Sequence, residues 1–288
     1  MITRSEKNRD GPTSAAAFWK AVQSACDTNA KKPPSEIGRR IAKTAIDEFN
    51  QFGGHQIDSN GRLFRFGLTE AEQEADDGGG KQTVVGRLGW WLVMKYWRAL
   101  YGDDAAEKLE VLGYRDASTT TQETQAADVL RARAAQLLRL AEGVSDPAAR
   151  EILREAALRA AIVDTSWSAA FISYVIRQSG VAPNAFAVAN AHRVYIYDAF
   201  ATSSAELSGT ASERLYRACP IATRPRVGDL ICNHRESALA VFSDGAVRDR
   251  IRLELSGPSN ARSIRRTHCE VVAHVDTRAR KAYTIGGN

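Results

Sequence analysis

The chain has 288 residues, 44% hydrophobic and 25% charged, the make-up of an ordinary soluble protein with room for one large domain or two smaller ones. No apolar stretch is long enough to span a bilayer, no membrane partner is expected, and the polar first residues carry no run resembling a secretory signal. The net charge of +5 fits a polyanionic partner such as cell wall or nucleic acid without selecting one, and the basic clusters (Arg262, Arg265, Arg266; Arg278, Arg280, Lys281) have no interleaved aromatics, so they read as solvated faces and not as a nucleic-acid interface.

Residues 1–34 read as a polar N-terminal segment and linker. A short helix around Ala15–Ala25 carries Phe18, Trp19 and Val22, and Lys31-Lys32-Pro33-Pro34 marks the linker. Residues 35–150 read as a helical region packed on a core. Ser35 and Glu36 open a helix with the stripe Ile37, Ile41, Ala45, Ile46 and Phe49, and Gly53-Gly54 stops it. Asp58–Gly61 is a tight turn, Leu63–Phe66 a short strand or anchor, and Asp76–Gly80 a loop. That loop lacks the Gly-Lys-Ser/Thr ending of a phosphate cradle. In Val84–Leu100, Trp90, Val93, Met94 and Trp97 share a helical face, which assigns them to the core rather than to ligand stacking. A polar connector at 115–128 precedes a helical hairpin, 129–143 and 147–161, with Pro147 in the first turn of its second helix.

Residues 151–288 read as the functional core. A helix is predicted through Asp164–Val175, closing at Gly180, with Thr165 or Ser166 as cap and Trp167, Phe171, Tyr174 and Val175 on one face. Ser168 then sits in the first turn, where unpaired backbone N–H groups and the positive end of the helix dipole point. Asn190–Phe200 reads as a short helix followed by a Ser/Thr-rich loop at 202–212. Pro225–Asp229 is a turn into a strand, Ser237–Phe242 and Arg250–Leu255 are strands or connectors, and Glu270–Val275 is a strand with His268 at its mouth. Asp276–Ala279 turns the chain into Lys281–Ile285. Helices first and strands last predict an α+β fold.

The four cysteines, Cys26, Cys219, Cys232 and Cys269, form no C-x-x-C pair. Cys232 with His234 and His268 with Cys269 could be drawn as a metal cluster. Adjacent strand residues face opposite ways, however, so no metal is expected. For the same reason Cys269 turns away from His268 and is not a nucleophile. Ser168, His268 and Asn288 remain as a candidate constellation. A hairpin can bring Asn288 beside His268, its amide accepting from one imidazole nitrogen while the other takes the proton of Ser168.

Trp167-Ser168-Ala169-Ala170-Phe171, Gly180, Pro225–Leu230, His268 on its strand and Gly286-Gly287-Asn288 together resemble the papain-like amidohydrolases of the CHAP and NlpC type. The finer marks, Trp167–Ser173, Ala191-His192-x-x-Tyr195-Ile196 and Ile285–Asn288, resemble a bacterial branch of that superfamily in which serine replaces cysteine. The resemblance spans about residues 36–288 and implies a papain-like core with a central antiparallel sheet and a nucleophile helix. It implies cleavage of an amide bond in peptidoglycan peptides by Ser168, His268 and Asn288, with Trp167, His192 and Tyr195 near the substrate and no cofactor. His192 orients substrate, competes with His268 as base, or is a satisfied packing histidine. A hydroxyl, unlike a thiol, needs concerted proton removal. Ser168 is therefore a working nucleophile, a replacement of cysteine that disables the enzyme, or the mark of a fold that kept binding and lost catalysis. A serine esterase or acyltransferase is a further alternative. A wall substrate for a chain made in the cytoplasm implies either delivery to a target periplasm as an effector, with a secretion machinery and an immunity protein as partners, or release from within by lysis; a cytosolic amide substrate is the alternative. A strand-end site residue of this type normally has more barrel after it, and the sequence leaves open whether the chain continues past Asn288.

Overall fold

A computed structural model of the chain describes residues 15–58, 62–65, 67–69, 89–114, 129–234, 244–255, 257, 263–264 and 266–287. Among these residues it is a mixed α+β protein of eight α-helices and three small antiparallel sheets. Two compact units divide the chain: Met1–Ile46 with Val175–Gly287, and Asp47–Tyr174. The division falls inside two helices. The expected loop at 76–80, the connector at 115–128, the strand at 237–242 and Asn288 lie outside the described residues.

The first unit begins with α1 (Ala15–Ala30), longer than its sequence signal predicts. Phe18, Val22 and Cys26 recur on its buried face and pack with Trp19 and Leu207. A disulfide from Cys26 to Cys219 ties this helix to the rest of the unit. α2 (Glu36–Gln51) is capped by Ser35, whose hydroxyl accepts from the Gly38 N–H at 3.0 Å. Ile41 and Ala45 are fully buried, whereas Ile46 lies outside the stripe. Gly38 lets α2 approach the Val227-Gly228 turn: a Cβ there would lie 2.7 Å from the Val227 carbonyl oxygen.

α7 (His192–Leu207) takes the first part of the expected Ser/Thr loop, while 208–212 stay non-helical, because Thr202 and Ser203 are buried and Ser203 exchanges hydrogen bonds with the backbone of Ala218. The segment around 250–255 is helical too, as the end of α8 (Asp244–Glu254). Its Ile251 enters a cluster with Tyr197, Phe200, Ala218 and Ile264, and Val247 and Leu255 pack against the same cluster, a four-residue helical spacing that outweighs the alternation of residues 250–255. β5 (Leu230–His234), β6 (Thr267–Asp276) and β7 (Lys281–Ile285) form an antiparallel sheet in the order β5-β6-β7. In its register Cys232 opposes Cys269 and Asn233 opposes His268. Cys232 and Cys269 are joined by a second disulfide across the two strands. The turn into β5 is held by Asp229, which accepts from the Arg226 N–H at 2.7 Å. Burial pushes the Asp229 carboxyl up, and Arg226 pulls it part of the way back.

The second unit holds the aromatic core. β1 (Gln56–Ile57) pairs with β2 (Leu63–Arg65). Leu63 and Phe64 are exposed, so this hairpin is a surface element and not an anchor. α3 (Gly89–Tyr101) buries Trp90, Val93, Met94 and Trp97 as its spacing predicts, while Trp91 turns outward under the Arg98 guanidinium. Residues 129–133 form a strand, β4 (Val129–Arg133), paired with β3 (Glu110–Tyr114), where the local sequence predicts helix. Pairing to a distant strand overrides local helix propensity there. α4 (Ala134–Glu142) and α5 (Pro147–Asp164) follow, with Pro147 in the first turn and Asp146 accepting from the Ala149 N–H.

Candidate functional site

α6 (Ser168–Gln178) opens on Ser168 in the second unit, and Gly180 closes it with a φ of 76°. The Trp167 carbonyl accepts the first helical hydrogen bond, from the Phe171 N–H at 3.0 Å. Thr165 is not the cap. It ends α5, and its hydroxyl accepts from the Glu110 N–H at 2.9 Å, pinning β3. Ser168 is buried, 7% exposed, on the first turn of a helix, where backbone N–H groups lack helical partners. Trp167 lies in an aromatic cluster, stacked on Phe52 at 5.8 Å and close to Tyr96 and Phe171. Behind it, Glu48 is buried and accepts from Lys95 at 2.6 Å and from the Tyr96 hydroxyl at 2.8 Å.

The first unit brings together His268, His192 and Tyr195. His268, second residue of β6, is 4% exposed. His192, at the start of α7, is 5% exposed, and the two imidazole rings meet edge to face with centroids 5.1 Å apart. The Tyr195 hydroxyl is hydrogen-bonded to His192 Nδ1, since residues three apart on a helix are neighbours on its surface. Tyr195 packs against Phe186, and burial together with the neighbouring Tyr216 pushes its hydroxyl well above the ordinary tyrosine range.

Two residues that the sequence reasoning missed complete this group. Glu270 Oε1 lies 3.5 Å from His268 Nε2, and the Thr284 hydroxyl on β7 donates to the other carboxylate oxygen. Period-two alternation puts residues 268 and 270 on one face of β6, so the sequence carries this signal. Gly286 follows β7 where any Cβ would sit 3.2 Å from His268 Nε2 and 2.9 Å from Glu270 Cγ. The glycine of the Gly-Gly-Asn ending is thus required by space around the imidazole. Cys269, between His268 and Glu270 in the chain, is fully buried in its disulfide. His274 is exposed on β6 beside the ring of Tyr283, and His55 Nδ1 accepts from the Gly67 N–H at 3.0 Å.

Chemically, the site is a buried imidazole pair with a carboxylate against one ring and a phenol against the other, in an α+β protein that also opens a helix on a buried serine. The chain belongs to DUF2272, described as an uncharacterized protein conserved in bacteria, whose model matches residues 86–288. No curated protein and no solved structure matches it.

Proposed function

We propose that this protein is a hydrolase that cleaves an amide bond in peptidoglycan peptides, with Ser168 as nucleophile and His268 as general base. Ser168 Oγ bonds to the carbonyl carbon as His268 takes its proton. The backbone N–H groups at the start of α6 hold the oxyanion. His268 returns the proton to the amine nitrogen as the C–N bond breaks. Water, deprotonated by the same imidazole, then releases the acyl group and restores the serine. Asn288 is assigned beside the imidazole, and Trp167, His192 and Tyr195 along the substrate. The same proposal reads the nucleophile helix, the Gly228-Asp229-Leu230 turn and the β5–β7 sheet, in that chain order, as a papain-like core.

The observation that carries this reading is His268 itself. An imidazole nearly closed to water, with a carboxylate and a second imidazole around it, is an arrangement suited to moving a proton. The two disulfides support an oxidising compartment, where a wall substrate would be met. A secretion machinery delivering the protein as an antibacterial effector, and an immunity protein guarding the producer, belong to the same proposal. Among the described residues no helix is long and apolar enough to cross a membrane.

Digestion of purified sacculi, read by product masses, tests it. The wild type should release peptide fragments, while Ser168→Ala and His268→Ala release none. Equal products from all three remove the mechanism. Wall binding without products in any of them would instead mark a binding module, and turnover of chromogenic esters alone an esterase.

A further inference from the structure

We propose that Glu270 is the positioning residue of His268: its carboxylate faces Nε2, favours the ring proton on that nitrogen, and so makes Nδ1 the nitrogen that accepts the nucleophile's proton. The proposal rests on the reading of His268 as the base. An ionised carboxylate only accepts hydrogen bonds. Oε1 lies 3.5 Å from Nε2, an electrostatic contact longer than an ordinary N–H···O bond, and negative charge on that side favours the neutral ring with its proton on Nε2. Glu270 is itself held, because Thr284 donates to Oε2 and turns Oε1 toward the ring. Gly286 lets the end of β7 close over both side chains; a methyl group there would press on Nε2 and on Glu270 Cγ together. When Nδ1 takes a proton, the positive charge forms beside this carboxylate.

The second imidazole is tied differently. Burial keeps the proton on the Tyr195 hydroxyl, which is hydrogen-bonded to His192 Nδ1. His192 Nδ1 is thereby engaged by a phenol, whereas Nε2 of His268 faces a carboxylate. The geometry therefore divides the pair, with His268 as the proton acceptor and His192 as an oriented neighbour.

Long-range proton–nitrogen NMR on the full chain at alkaline pH reads the tautomers directly. His268 should show a protonated Nε2 and a bare Nδ1. Glu270→Gln should release that preference and lower kcat on the amide substrate by roughly tenfold or more, with little change in KM. Thr284→Val should move both readouts the same way by less, and it decides the matter if Glu270→Gln does not fold. A wild-type His268 protonated on Nδ1, or a folded Glu270→Gln with tautomer and kcat unchanged, overturns the proposal. If the wild type cleaves no wall peptide, the functional reading fails alone, since the tautomer of His268 still decides the role of Glu270.

Discussion

Removing the disulfides should cost the first unit a large share of its stability. Cys26 and Cys219 are 193 residues apart in sequence, and Cys232 and Cys269 are 37 apart. Closing loops of these lengths in the unfolded chain accounts for about 5 and about 4 kcal/mol respectively in the chain-entropy treatment. A domain is stable by only about 5–15 kcal/mol, so either loss is serious and both together should leave the unit largely unfolded. Each bridge has one buried and one exposed cysteine, Cys26 and Cys269 buried and Cys219 and Cys232 exposed, so a thiol reductant reaches both. Urea unfolding of the full chain would be compared for wild type, Cys26→Ala/Cys219→Ala and Cys232→Ala/Cys269→Ala. Trp19 is the one tryptophan of the first unit, and Trp90, Trp91, Trp97 and Trp167 belong to the second, so fluorescence of Trp19-only and Trp19-less variants separates the units. The Trp19 signal should move to lower urea in both double variants, further for the longer loop. Unchanged midpoints, or four alkylatable thiols in the native unreduced protein, would refute the reasoning.

Other outcomes follow from single contacts. Gly286→Ala should leave the fold intact by circular dichroism yet displace His268 and Glu270, shifting their NMR resonances and lowering any hydrolysis. Ser35→Ala removes the cap of α2 and should cost about 1 kcal/mol in urea unfolding. Glu48→Gln takes the charge from the Lys95 and Tyr96 contacts at a cost of about 2 kcal/mol, the scale of hydrogen bonds to an ionised group. Burial, and next Glu48, push the Tyr174 hydroxyl up to about 12, so the same variant should bring tyrosinate absorbance in at lower pH. Burial alone would raise the Glu254 carboxyl, but hydrogen bonds from Ser263, Tyr197 and Arg250 outweigh it and hold it at about 2, below the ordinary 4.5. Between those values the unfolded chain binds a proton that the native carboxylate refuses. Stability should therefore be complete above that window and fall as pH falls through it, and Glu254→Gln should lose this part of the acid response.

Local chemistry was legible without coordinates wherever one segment carried the whole signal. The helix with Ser168 in its first turn and the stop at Gly180, the cap at Ser35, Pro147 in its first turn, the buried face of α3 and the β6–β7 hairpin all rest on spacing within about a dozen residues. Periodicity also placed His268 at the mouth of a strand and turned Cys269 away from it. The errors came where a distant partner outweighed local preference. Residues 129–133 became a strand because β3 lies against them, and α7 ran past Phe200 to Leu207 because Ser203 and the Ala218 backbone exchange hydrogen bonds.

What no window of sequence contained was the pairing of residues far apart in the chain. The cysteines have no spacing signature, yet folding sets Cys26 against Cys219 and Cys232 against Cys269. His192 and His268 are 76 positions apart by their numbers, and only the packing of α7 on the sheet brings their rings edge to face. The partner of His268 that the structure describes, Glu270, was within reach of a period-two reading, but its hold by Thr284 and the closeness of Gly286 depend on the register of β7. Local propensity acts over a few residues and is written in the sequence. Contact between remote side chains is decided by which buried faces and strand registers win together, and that is a property of the folded chain alone.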